Sequence, residues 1–460
     1  NFYSFSSKIN SCVQSVPVIS INCVGQYNSS NRREITDGRP LKSRIRSGIG
    51  SVIDSRFCKI SMKELAEKYG TPSFVYSEER IVENFLTIKR AFSSTTTDIC
   101  FAVKANSNIG ILQILARQGA GFDIVSGGEL ARVLKAGGDP EKIVFSGVGK
   151  QDWEIIEGLK NKIRCFNVES AAELEKIAQI ASSCGQIAPV SLRVNPNIDA
   201  KTHPYISTGL AESKFGIKIE SAEHLFQRAD GDPHLNLVGI DCHIGSQITE
   251  IEPFLAALNI LINLVQRLAG KGINLSHIDM GGGVGIKYKD EEVINWNDFA
   301  SEIKKSMKDI PQRLILEPGR SIVGNAGLLL AQIILLKNNG QKNFAVVDAG
   351  MNDLLRPALY GSWHEIVSVE KRTHPEPLDW EIVGPICETS DFLAKGRSLS
   401  IIEGDLIAIL DCGAYGFSMS SNYNSRPKAA EILIADKSHF CIRDREKISD
   451  LFCLENLRST

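Results

Sequence analysis

The chain has 460 residues, 52 basic against 54 acidic side chains, a formal net charge of -2 and 43% hydrophobic residues. At about 150 residues per domain, this length predicts two or three domains with a large core. The near-neutral balance excludes nucleic acid as the main partner, which requires a basic face. No apolar run reaches the roughly 18 residues of a membrane span.

Residues 1–50 differ from the rest. They are rich in Ser and Asn and carry Lys8, Arg32, Arg33, Arg39, Lys42, Arg44 and Arg46 against only Glu34 and Asp37. A basic, serine-rich, acid-poor leader predicts an organelle transit peptide, with the plastid stroma as destination and the mitochondrion as alternative. A disordered tail on a cytoplasmic protein is the plain reading. The eleven cysteines are scattered and form no Cys-x-x-Cys pair. That pattern predicts neither a metal site nor a disulfide framework, and most are expected to be small buried hydrophobes.

Residues 62–69 and 78–92 predict short helices joined by an extended link, 72–76, within an N-terminal segment (51–90) expected to pack near the last domain. Strand-like apolar runs then recur at 99–103, 121–125, 142–145, 163–168, 190–194, 237–243, 277–280 and 314–316. Helix-periodic segments such as 128–136, 171–182, 254–268 and 299–307 lie between most of them. About eight strand–helix units in roughly 220 residues predict an α/β fold, a (β/α)8 barrel over 91–325, rather than an open sheet. After residue 323 the period changes. Short runs at 331–336, 344–347, 380–383, 405–410, 431–435 and 440–443 predict a C-terminal all-β domain over 326–460.

Barrel enzymes place their sites at the C-terminal strand ends. Here the strands run into Lys104, Asp123, Ser146, Glu169, Arg193, His243, Gly281–Gly283 and Glu317. That strands end where polarity begins explains part of this set. It does not explain a lysine, a histidine, a glycine triplet and an acid–Pro–Gly–Arg turn together.

Lys104 closes the run Cys100-Phe101-Ala102-Val103. Partial desolvation there is expected to lower its pKa, as a Schiff-base nucleophile requires; a solvated lysine is the plain alternative. Gly281-Gly282-Gly283 offers backbone amides to an anion, although such triplets also form ordinary turns. In Glu317-Pro318-Gly319-Arg320, the carboxylate can pair with a protonated pyridine nitrogen and the guanidinium can clamp a carboxylate. His243 is either a ring-stacking partner or a core histidine. Arg356-Pro357-Ala358-Leu359-Tyr360-Gly361 supplies another anion clamp. Cys387-Glu388-Thr389-Ser390-Asp391 supplies a thiol beside acids, and Gly413-Ala414-Tyr415-Gly416 a tyrosine on a flexible turn.

Together and in this order, these motifs resemble the diaminopimelate decarboxylase family, within the alanine-racemase-like class of pyridoxal-phosphate enzymes. The resemblance covers residues 61–454. It implies that Lys104 holds pyridoxal 5'-phosphate covalently and that His243 stacks on its ring. Ser246, Gly283, Glu317, Pro318, Gly319, Arg320 and Tyr415 would hold the cofactor, with Glu317 on the pyridine nitrogen. Arg320, Arg356, Tyr360, Glu388 and Tyr415 would hold the amino-acid substrate, and Cys387 would reprotonate the product. It also implies a homodimer with shared sites, Cys387 and Glu388 serving the neighbour's Lys104, with Asp123 and Arg193 in support. Ser390 stands where the family more often has Gly, and Trp363 where another aromatic is commoner.

The implied reaction is decarboxylation of meso-2,6-diaminopimelate to L-lysine. Decarboxylases of ornithine, arginine or carboxynorspermidine share the fold, but their substrates end in bases that need acids rather than Arg320 and Arg356. An alanine racemase is disfavoured because it places Arg, not Glu, against the pyridine nitrogen. A non-catalytic cofactor carrier is disfavoured because Lys104, Cys387 and Tyr415 are all kept.

Overall fold

Eight parallel strands close on themselves. In chain order they are Thr97–Ala102, Gly121–Ile124, Ile143–Phe145, Cys165–Val168, Ala188–Asn195, Leu235–Asp241, His277–Asp279 and Arg313–Leu316. Each pairs with the next, and the last returns to the first through Leu316↔Ile99. This computed structural model describes residues 57, 60–199, 214–370, 372 and 374–458. The transit-peptide assignment of residues 1–50 lies outside them.

Side chains alternate across each strand, and that alternation sets the layers. Phe101, Phe122, Phe145 and Phe166, from four successive strands, are fully buried in the main core. Their neighbours Cys100, Val144, Cys165 and Ile315 make a separate small apolar cluster. Two residues further along, the Val144, Cys165 and Ile315 face becomes Ser146, Asn167 and Glu317. Ala102, two beyond Cys100, lies beside Asp123. The same face thus turns from small and apolar to polar, with the acidic side chains Asp123 and Glu317, towards the strands' C-terminal ends.

The outer helices start where the sequence provides caps. Ser126 Oγ accepts from the Glu129 amide at 3.2 Å, and Ser170 Oγ from the Glu173 amide at 3.2 Å. These satisfy donors that have no partner inside the helix. The helix Glu252–Ala269 buries Phe254, Leu258, Leu261 and Val265, an apolar stripe at helical spacing.

A second, mixed sheet runs Phe392–Leu399, Leu378–Val383, Asn343–Val347, Gly327–Asn338, Ser73–Ser77, Ala430–Ala435 and Ser438–Arg443. Leu406–Ile409 pairs with Gly327–Asn338, and Ile366–Ser368 pairs with Leu406–Ile409. The expected extended link at 72–76 is a central strand of this sheet, antiparallel to Gly327–Asn338 and parallel to Ala430–Ala435. Phe392–Leu399 was not anticipated, because Phe-Leu-Ala-Lys-Gly-Arg lacks alternation and Gly396 turns the backbone at φ 63°. The short helix Arg356–Tyr360 means that the region is not purely β.

No described helix is long and apolar enough to cross a membrane. The cysteine expectation holds for half of the described cysteines. Of the described, free cysteines, Cys100, Cys165, Cys242 and Cys412 are buried, but Cys184, Cys387, Cys441 and Cys453 are exposed.

Candidate active site

Lys104 stands in a short turn, Val103–Ala105, directly after the first barrel strand. Its ammonium is ion-paired to the fully buried Asp123 of the adjacent strand. Burial works against the charge on Lys104, but the carboxylates of Asp123 and Glu317 outweigh it and hold the ammonium well above its usual range. This corrects the expected lowering. The strand end alone desolvates the amine, whereas the neighbouring strand supplies a counter-ion.

The glycine triplet is packed rather than merely turned. Gly281 has φ 66° and Gly283 φ 113°. A Cβ on Gly282 would meet the Glu317 carbonyl oxygen at 2.1 Å, and one on Gly283 the Gly245 carbonyl oxygen at 2.4 Å. Only glycine lets these three strand ends converge. The Gly282 amide donates to His243 Nδ1 at 3.2 Å, so that nitrogen is an acceptor and the neutral ring carries its hydrogen on Nε2. Burial, then the charges of Lys104 and Arg193, push His243 well below its usual range.

Glu317 is 5% exposed, and among the described residues its Oε1 has no hydrogen-bond partner. Burial, then Asp123, Asp279 and Asp241, push its carboxyl well above the usual range. Asp241, Asp279 and Glu317 bring their oxygens within 4.8 Å of one another. Burial pushes Asp279 up to about 7. Arg193 supports this floor, donating to Glu169 Oε1 at 2.7 Å with Nε 3.7 Å from Asp241 Oδ2.

Arg320 follows in the same turn. It donates from Nη2 to Ser246 Oγ at 2.9 Å and from Nη1 to the Tyr288 hydroxyl at 2.8 Å. Its guanidinium carbon lies 4.9 Å from the Tyr415 ring centroid. Tyr415 is not on a loose turn. Its amide donates to the Ala105 carbonyl at 2.8 Å, and a Cβ on Gly413 would meet the Val323 oxygen at 1.8 Å. Arg356, 5% exposed, rests 4.6 Å from the Tyr288 ring centroid.

The structure therefore brings Lys104, His243, Ser246, Gly283, Glu317–Arg320, Arg356 and Tyr415 to the strand ends and the adjoining turns, with Tyr360 closing the Arg356 helix. Cys387 and Glu388 are exposed on the β-domain surface. The Cys387 amide is held by Asn424 Oδ1 at 2.7 Å. Ser390 Oγ is 3.7 Å from Met351 Sδ, and the Trp363 ring lies 3.3 Å from the Arg397 guanidinium carbon. Tyr288, His364, Asp241 and Asp279 escaped the sequence reading. The only signals were Gly285-Ile286-Lys287-Tyr288 after the triplet and His364 close behind Arg356.

Residues 78–324 match the family described as pyridoxal-dependent decarboxylase, pyridoxal binding domain. A diaminopimelate decarboxylase of Pseudomonas aeruginosa is 52% identical over 86% of this chain and 96% of its own length. One from Haemophilus influenzae is 51% identical over 86% and 95%. The crystal structure of diaminopimelate decarboxylase from Helicobacter pylori complexed with L-lysine superposes with a TM-score of 0.83. It is 45% identical and covers 85% of this chain and 98% of that one. With a matching family domain and half its residues shared along nearly the whole of such relatives, this chain belongs to the diaminopimelate decarboxylase family.

Proposed function

We propose that this chain is a pyridoxal-phosphate-dependent carboxy-lyase that converts meso-2,6-diaminopimelate to L-lysine and carbon dioxide, the last step of lysine biosynthesis. The residues fit the cofactor. Glu317 Oε1 is a buried carboxyl oxygen without a partner among the described residues, suited to a protonated ring nitrogen. A Cβ at Gly283 would meet the Gly245 carbonyl, so the turn stays glycine, and a glycine turn leaves its backbone amides unshielded for a phosphate. Lys104 would hold the cofactor covalently, His243 would pack on its ring, and Ser246, Gly283, the Glu317–Arg320 turn and Tyr415 would bind it. When bound, the group supplies an electron sink as the carboxylate leaves.

The remaining work falls to side chains. Asp123 holds the Lys104 side chain at the strand end where it would carry the cofactor. Neutral His243 adds no charge beside the ring. Arg320, Arg356, Tyr360 and Tyr415 orient the substrate. Cys387 and Glu388, from a second copy of the chain, deliver a proton and hold the substrate amine. That sharing makes a homodimer the working form, and the basic leader supports import into a plastid.

One observation carries the substrate choice. Arg320 and Arg356 are both buried against the same tyrosine. Among the described residues their side-chain hydrogen-bond partners are neutral, Tyr288 and Ser246 for Arg320 and His364 for Arg356, and neither is ion-paired to a carboxylate. Two such guanidiniums suit a substrate with carboxylates at both ends and repel one that ends in an amine. The test is carbon dioxide release from meso-diaminopimelate, ornithine, arginine and carboxynorspermidine. Preference for diaminopimelate is expected, and preference for any of the others overturns the reading.

A further inference from the structure

Arg356 opens its helix with a partner already in place. Its Nη1 lies 2.8 Å from Nε2 of His364, a residue with no exposed surface. The other ring nitrogen, Nδ1, is 2.8 Å from the Leu410 carbonyl oxygen. A carbonyl only accepts, so Nδ1 carries the hydrogen and Nε2 turns its lone pair to the guanidinium. Burial and the charge of Arg356 push His364 down to about 3, so one neutral tautomer persists across the working pH range.

The frame continues behind these two. The Tyr288 ring meets His364 edge-on at 5.4 Å and 78°, backs the Arg356 guanidinium, and accepts from Arg320 through its hydroxyl. The His364 carbonyl accepts from Arg397 Nη2 at 3.2 Å, which fixes the backbone that carries the ring.

A guanidinium offers five donors in one plane. Engaging one of them with a neutral acceptor, and one face with an aromatic ring, fixes that plane without consuming the charge. A carboxylate at position 364 would neutralise Arg356 and compete with the substrate. We propose that His364 is a positioning residue for substrate specificity, aiming the Arg356 guanidinium at the distal carboxylate, with Tyr288 setting its separation from Arg320. This rests on the assignment of Arg356 to that carboxylate.

The experiment uses holoenzyme and meso-diaminopimelate. In His364→Asn the amide can still reach Leu410 but withdraws the acceptor from Arg356. In His364→Gln a longer amide restores an acceptor near Nε2. The Asn variant should raise KM about tenfold, the effect of roughly 1.4 kcal/mol. Its kcat should stay within about threefold, the split expected when binding is lost without chemistry. The cofactor's visible band should persist, and the Gln variant should recover most of the KM. A double variant with Arg356→Ala should be no worse than Arg356→Ala alone.

If Arg356→Ala itself leaves KM unchanged, the distal-carboxylate reading fails. If it raises KM while His364→Asn does not, or if Gln is no better than Asn, the positioning role fails. Should His364→Asn not fold, Tyr288→Leu removes the ring behind Arg356 and leaves His364 in place. It too should raise KM and keep the cofactor band, and an unchanged KM there overturns the shared frame.

Discussion

The backbone amide of Tyr415 donates to the carbonyl oxygen of Ala105 at 2.8 Å, and Ser418 Oγ donates to the same oxygen at 3.2 Å. Asn106 Nδ2 completes the joint, donating to the Gly413 carbonyl at 3.1 Å. The turn that carries Lys104 and the turn that carries Tyr415 are therefore one hydrogen-bonded unit, although they are far apart in sequence. Residues of the barrel end and the second sheet thus meet at fixed spacing, which a site needs if it is to hold both ends of a ligand.

Lys104 is the first residue to test. Lys104→Ala should abolish the visible absorbance band of covalently held cofactor, together with carbon dioxide release, because Asp123 pairs with no second described lysine there. The check is a spectrum before and after borohydride. A variant that keeps a reducible band puts the attachment elsewhere.

The glycine triplet offers a steric test. In Gly282→Ala the new methyl would sit 2.1 Å from the Glu317 oxygen, which is backbone and cannot rotate away. Displacing that turn should cost about 1–3 kcal/mol of stability and weaken cofactor retention. Gly128→Ala, in a helix where the nearest outside atom is 3.7 Å away, should be neutral or mildly stabilising. Thermal midpoints and cofactor titration of the two variants decide it, and equal behaviour would contradict the packing argument.

Shared sites predict complementation. Lys104→Ala and Cys387→Ala homodimers should each be impaired. After subunit exchange the mixture should regain roughly a quarter of wild-type activity, since half the dimers are mixed and each holds one intact site. Proven heterodimers without recovery would mean that each site lies within one chain.

Asp353 predicts a pH effect on stability. It is 1% exposed, and burial pushes its carboxyl up from 3.8 to about 7. Between those values the folded chain keeps a proton that the unfolded chain has lost, so this group's contribution to stability falls as pH rises from about 4 to about 7. Asp353→Asn keeps an acceptor for the Gly350 amide, 3.0 Å away in the wild type, and removes the titration. Relative to wild type, the variant should gain stability between pH 4 and pH 7 in urea unfolding. A difference that does not change with pH would show that Asp353 does not titrate there.

The amino-acid order determined much of this protein without help. Strands buried on both faces must read as continuous apolar runs, so the barrel strands were legible one by one. The residues after them were legible as a set, because Lys104, His243, the glycine triplet and the Glu317–Arg320 turn each follow such a run.

Tertiary structure decided what depends on distant partners. Ser73–Ser77 reads as a link because the strands flanking it lie more than two hundred residues away. The charge of Lys104 is set by Asp123 across a strand pair, so a local reading of desolvation gave the wrong sign. His364 and Tyr288 look ordinary in sequence. They matter through Arg356 and Arg320, which reach them only after the β domain folds against the barrel end. Hydrophobic period is a local property and survives in the sequence. Electrostatics and hydrogen-bond direction act between neighbours in space, and only the folded chain chooses those neighbours.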